Sequence, residues 1–176
     1  MIRTQPLSKY LFTIMTSIIK DLGVVFTLEE WKEGLKDGAT RKYITSFRDI
    51  NERDVYACSF NFDGSAVTSN RSLATGKRYN KISIVTIRAQ GDTDEAGLYA
   101  PETFLENVQE RLTNTYNHIY YVNSNMELME TSGEDCLDIG IKEITNLSDI
   151  IDLHKNEELI PRFSLKLKVE YSVVRK

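Results

Sequence analysis

The sequence predicts an α+β fold: a mixed, largely antiparallel sheet of about four to five strands with two main helices packed on one face. Three stretches carry that prediction. Residues 162 to 176, RFSLKLKVEYSVVRK, alternate with a period of two. Phe163, Leu165, Leu167, Val169, Tyr171 and Val173 fall on one face of a strand, and Ser164, Lys166, Lys168, Glu170 and Ser172 on the other. Residues 80 to 91, NKISIVTIRAQG, are apolar at Ile82, Ile84, Val85 and Ile87, as a central strand covered on part of each face should be. Leu7, Leu11, Ile14 or Met15, Ile18 and Leu22 instead recur at steps of three and four, the stripe of a helix laid on a sheet.

A chain of 176 residues suits a single domain over 1–176, and 41% hydrophobic with 27% charged content excludes global disorder. The 22 Lys and Arg against 26 Asp and Glu give a net charge of -4, so the chain lacks the positive field that non-specific nucleic-acid binding requires. Cys58 and Cys136 fit neither a metal spacing nor a disulfide scaffold and read as reduced thiols. In the first helix Thr13, Thr16, Ser17 and Lys20 interrupt the apolar run, and no small-residue cleavage site follows. Neither a signal peptide nor a membrane span is expected, which favours assembly in a cytosol without a membrane partner.

Taken in order, Ser8 is placed to cap the first helix and Gly23 to end it. A second, shorter helix is expected at Leu28 to Leu35. The runs YITSFRDI and VYACSFNFDG flank the polar cluster Asn51 to Asp54 and predict a hairpin, with Tyr56, Cys58, Phe60 and Phe62 on one face. Residues 63–78, DGSAVTSNRSLATGKR, have almost no large apolar side chains and predict a long mobile loop. Pro101 then opens a helix whose stripe is Phe104, Leu105, Val108, Leu112 and Tyr116. HIYYVNSNMELMET predicts one or two strands around Asn123 to Asn125, and Asp149 to Leu153 a helical turn.

Chemistry is sparse. His118 and His154 each stand without a second ligand at a zinc spacing. GDTDEAG (residues 91–97) and TSGEDCLD (131–138) lack the D-x-D-x-D-G pattern of a calcium loop and read as solvated turns. Gly64, Gly76 and Gly91 form no phosphate cradle. No catalytic, cofactor or metal site is therefore predicted. Arg71, Lys77, Arg78 and Lys81 give the expected loop a positive bias, and Lys166, Lys168 and Glu170 line the polar face of the last strand. Both sets read either as solvated surface or as an interface with a neighbouring subunit.

The order of these features resembles the tail terminator (neck, or tail-completion) proteins of long-tailed bacteriophages. The resemblance rests on the leading amphipathic helix, the strand RYNKISIVTIRAQG with its acidic turn, the helix PETFLENVQERL and the alternating strand FSLKLKVEYSV, roughly residues 5–25 and 78–174. It implies a structural virion protein rather than an enzyme, without cofactor, forming a ring, usually of six copies. Such a ring caps the tail tube, stops its polymerisation and joins the tail to the head connector or neck proteins. Its partners would be further copies of itself, the tail tube protein and, in a contractile tail, the sheath; DNA would pass through without specific binding. The stretch between Gly23 and Arg78 departs from that pattern. Alternatives are another small head-tail joining or minor tail protein, and a small α+β ligand-binding domain or enzyme using Cys58 or His118.

Overall fold

The computed structural model describes residues 7–20, 41–44, 56–73, 76–90, 101–152 and 162–175. The expected helix at Leu28 to Leu35, the stop at Gly23, the acidic turn at 91–97 and His154 lie outside them. Among the described residues, helices α1 (Leu7–Ile19) and α2 (Pro101–Thr113) accompany eight strands. These are β1 (Arg41–Ile44), β2 (Tyr56–Leu73), β3 (Gly76–Gln90), β4 (His118–Asn123), β5 (Leu128–Met129), β6 (Cys136–Asn146), β7 (Ile151–Asp152) and β8 (Arg162–Arg175). The sheet order is β1-β2-β3-β8-β6-β4-β5, with β7 also paired to β8. All pairings are antiparallel except that of β1 with β2. The fold is thus α+β with a mixed, largely antiparallel sheet, as the sequence predicts. The strands beyond the expected four to five are short pieces of two to four residues.

β8 lies in the middle of the sheet. It pairs with β3 from Lys77↔Arg175 to Gln90↔Arg162 and with β6 along its other edge. Leu165, Leu167, Val169, Tyr171 and Val173 are all buried. Across the ladder they meet Ile87, Val85, Ser83, Lys81 and Tyr79 of β3. Each large apolar side chain so buried contributes about 1.5–3 kcal/mol. α2 packs over β3, β6 and β8, with Leu105, Val108 and Leu112 buried and Phe104 partly so. Tyr116 falls beyond the helix and is 66% exposed, so it is not part of the stripe.

α1 is more deeply enclosed than a single stripe implies. Tyr10, Leu11, Phe12, Thr13, Ile14 and Met15 are all buried, whereas Leu7 and Ile18 are only partly so. Consecutive helical residues lie about 100° apart, so six in a row encircle the helix, the mark of a helix inside a core. The threonines that interrupt the apolar run are accommodated by back-bonding: Thr13 donates to the Lys9 carbonyl at 3.0 Å and Thr16 to that of Phe12 at 2.9 Å. Arg111 of α2 donates from Nε to the Ile18 carbonyl at 3.2 Å, satisfying an acceptor in the last turn of α1. Phe12 meets Phe60 of β2 edge to face at 5.3 Å.

Three local expectations are overturned. Residues 63–78 are not a loop: β2 continues to Leu73, β3 begins at Gly76, and Leu73↔Gly76 leaves two residues between the strands. Backbone ladder bonds hold this hairpin, so the small polar side chains of β2 do not prevent it. Register shifts at Phe62/Gly64 and Val67/Ser69 insert one extra residue each, Asp63 and Thr68. Second, β1 is no hairpin partner of β2, because Arg41↔Tyr56 through Ile44↔Ser59 run parallel; the expected connection at Asn51 to Asp54 lies outside the described residues. Third, no helical turn forms from Asp149: the chain stays on the edge of β8, through Leu147 N–H to the Lys166 carbonyl at 2.9 Å and then Ile151↔Ser164. The free edge of β8 offers donors and acceptors that an isolated helical turn would leave unmet.

Candidate functional site

Alternation along the strands sends a second set of side chains to the face of the sheet opposite α2. One register row crosses four strands as Ile119, Gly140, Ser172 and Asn80. Gly140 makes the dip in this row: a Cβ there would come within 2.8 Å of Ser172 Oγ and 3.8 Å of Ile119 Cγ1. The result is an open trough of about 600 Å³ whose rim carries Arg78, Ile82, Lys142 and Glu170. At its end Asn117 adopts a left-handed conformation (φ 49°) that asparagine tolerates, and donates its N–H to the Lys142 carbonyl at 3.1 Å.

The trough is electrostatically biased. Its open face carries two cations, Arg78 and Lys142, against the single carboxylate of Glu170, a net charge of +1 in a chain of net charge -4, whereas Lys81 shares the opposite face with Tyr171. Glu170 forms ion pairs with two lysines, Lys168 at 3.1 Å and Lys142 at 3.9 Å. Lys142 is 75% exposed, so screening keeps its pair weak and leaves its charge open to other partners.

Of the residues singled out from sequence, the structure brings Arg78 and Glu170 to the trough, with Lys168 bonded to Glu170 beside it. Lys166 is exposed on the same face of β8 but one register pair further along, opposite Thr86. Lys77 is exposed at the hairpin end, paired with Ser72 and Arg175. Arg71 is paired in register with Arg78. Sequence reasoning missed Gly140 and Lys142. The alternation of CLDIGIKE, with Leu137, Ile139 and Ile141 buried, is the signal that places Gly140 on the opposite face.

Of the other candidates, His118 lies at the end of the trough beside Asn117 and Cys136 does not. His118 is exposed and its ring meets that of Tyr120 at 4.5 Å, while Cys136 is a free, buried thiol at the far end of β4's partner strand. Burial raises the Tyr120 hydroxyl above its ordinary value. Tyr171 is raised by burial too, partly offset by its 3.1 Å hydrogen bond with Ser83. Among the described residues no group of three or more His, Cys, Asp or Glu is placed to hold a metal ion, and no helix is long and apolar enough to cross a membrane.

A second charged feature lies at the other end of β4. Residues 124–135 carry Glu127, Glu130, Glu134 and Asp135, all exposed, and no Lys or Arg. This acidic turn region is ordered from within. Asn123 Oδ1 accepts from the N–H groups of Asn125 at 2.9 Å and Glu127 at 3.0 Å, and Ser124 donates to Asp135 at 2.6 Å. Ser132 donates to Asp138 at 2.8 Å. Met126, with φ 65°, takes the left-handed position of the turn and is buried there. No protein-family model matches the chain, and no curated protein matches it either.

Proposed function

We propose that this protein is a structural virion component, a tail terminator whose ring of about six copies caps the tail tube of a long-tailed bacteriophage. On this reading it stops tube growth and joins the tail to the head connector, is assembled in the host cytoplasm and catalyses no reaction. One observation carries the reading: the three segments beyond α1 that resemble terminators form one packed unit. RYNKISIVTIRAQ lies along β3, FSLKLKVEYSV along β8 and PETFLENVQERL in α2, with β3 and β8 paired throughout and α2 lying over both. The net acidic charge suits a ring through which DNA passes without adhering.

The test is assembly and capping. The purified chain should sediment as a closed ring of about six copies and, added to its polymerising tail tube protein, should halt elongation and decorate tube ends in electron micrographs. A chain that stays monomeric while tubes grow at the unperturbed rate would falsify the proposal. Rings that bind the head connector but never tube ends favour another head-tail joining protein instead.

A further inference from the structure

We infer that copies of this chain join head to tail, the acidic turn region 124–135 of one docking in the basic trough of the next. The inference rests on the ring reading above and names the contact that would build the ring. Charge complementarity is its foundation. The turn region holds four exposed carboxylates and no cation, and the open face of the trough, with Arg78 and Lys142 against Glu170, has a net charge of +1. Opposite fields of this kind steer encounter and set register.

Neither surface can satisfy the other within one chain. The acidic region is tied to the Asn123 end of β4 by the Tyr121↔Met129 and Val122↔Leu128 pairs and by the Ser124 to Asp135 hydrogen bond. The floor of the trough at Gly140 lies four residues further along β6 from Cys136, about 13 Å at the rise of a strand. The two surfaces can therefore meet only between copies. Because the two surfaces are different patches, the contact is heterologous, and repeated copies generate a ring when the rotation closes.

Shape supports the same pairing. Gly140 removes side-chain bulk from the floor, so a neighbour's chain can approach the sheet backbone, flanked by the apolar side chains of Ile82 and Ile119. Ile119 is 53% exposed and Met129, in the acidic region, 45%. Apolar surface is therefore offered on both sides of the contact. Four strands span about 14 Å across, and over some six residues of strand, about 20 Å, that is roughly 280 Å², far short of the ~800 Å² per partner typical of a stable dimer, so closure of the ring, not a single contact, must hold the assembly.

The test uses the full chain and two doubly substituted variants, Arg78→Glu with Lys142→Glu in the trough and Glu130→Lys with Glu134→Lys in the turn region. Sedimentation velocity at low and high salt is the readout, with circular dichroism to establish that each variant is folded. The wild type should form rings that weaken as salt rises. Each variant alone should associate at least about 100-fold more weakly, because like charges then face each other. An equimolar mixture should assemble again, alternating copies closing a ring of even number. Wild-type rings with variants that assemble equally well overturn this contact and leave the ring reading standing. Folded variants whose mixture stays monomeric overturn it as well. A wild type that is monomeric at every salt concentration overturns both.

Discussion

The two faces of β8 are built from one stretch of backbone and differ only by which residue is odd and which even. Leu165, Leu167 and Val169 have no exposed surface, while Lys166 is exposed and Lys168 and Glu170 are partly so. Both sets share the same ladders to β3 and β6, so hydrogen bonding does not separate them. What separates them is cover. Among the described residues, one face lies under α2 and the apolar core it closes, and the other carries the trough with its pair of lysines on Glu170. Apolar burial scales with area removed from water, whereas exposed ion pairs are screened, so the two faces hold very different stakes in the fold.

Substitution on the buried face should have the largest effect. Leu167→Ala should destabilise by about 2–5 kcal/mol, through lost transfer energy and the cavity left behind. Lys168→Ala, the next residue, should cost less than about 1 kcal/mol. Urea unfolding midpoints with unchanged slope measure both, and equal losses would erase the distinction between the faces.

Tyr171→Phe sharpens the comparison at the edge of the core. It removes the hydrogen bond with Ser83 and should cost about 1 kcal/mol near neutral pH. Burial raises the Tyr171 hydroxyl above its ordinary value of 10.0, so the folded state holds this proton more tightly than the unfolded chain does. Stability from this group is complete below about pH 10 and declines as pH rises through the folded value. The variant should therefore lose stability less steeply in alkali, with Tyr120 accounting for part of the slope that remains. An unchanged alkaline slope contradicts this assignment.

The smallest effect belongs to the open face. Glu170→Gln leaves Lys142 and Lys168 without their shared carboxylate, yet should change stability by under about 1 kcal/mol, fading at high salt. It also raises the net positive charge of the trough lining. Under the head-to-tail contact it should strengthen association in sedimentation experiments while stability barely moves. Weaker association would count against that contact.

Legibility followed the same division. The buried residues of β8 and α2 were readable because period-two and period-3.6 patterns are local records of which side meets the core. The hairpin at 63–78 was not, since Ser, Thr, Asn and Gly leave little apolar signal while their backbones pair as well as any other. The enclosure of α1 was half readable: Leu11 and Ile14 lie in the expected stripe, but Tyr10 and Phe12 are buried only because other parts of the fold surround them. At the trough, Glu170 and Arg78 were visible as charges, but their meeting with Lys142 depends on strands far apart in sequence.

By itself, then, the sequence determined the α+β class, both described helices and the faces of β8. Tertiary structure alone decided that β8 lies between β3 and β6, that β1 runs parallel to β2, and that Gly140 sits beside Ser172 and Ile119. The reason is physical. A side chain's polarity records its immediate environment, but strand order and register are settled by backbone hydrogen bonds that every residue type except proline can make, and by which pairing closes one core.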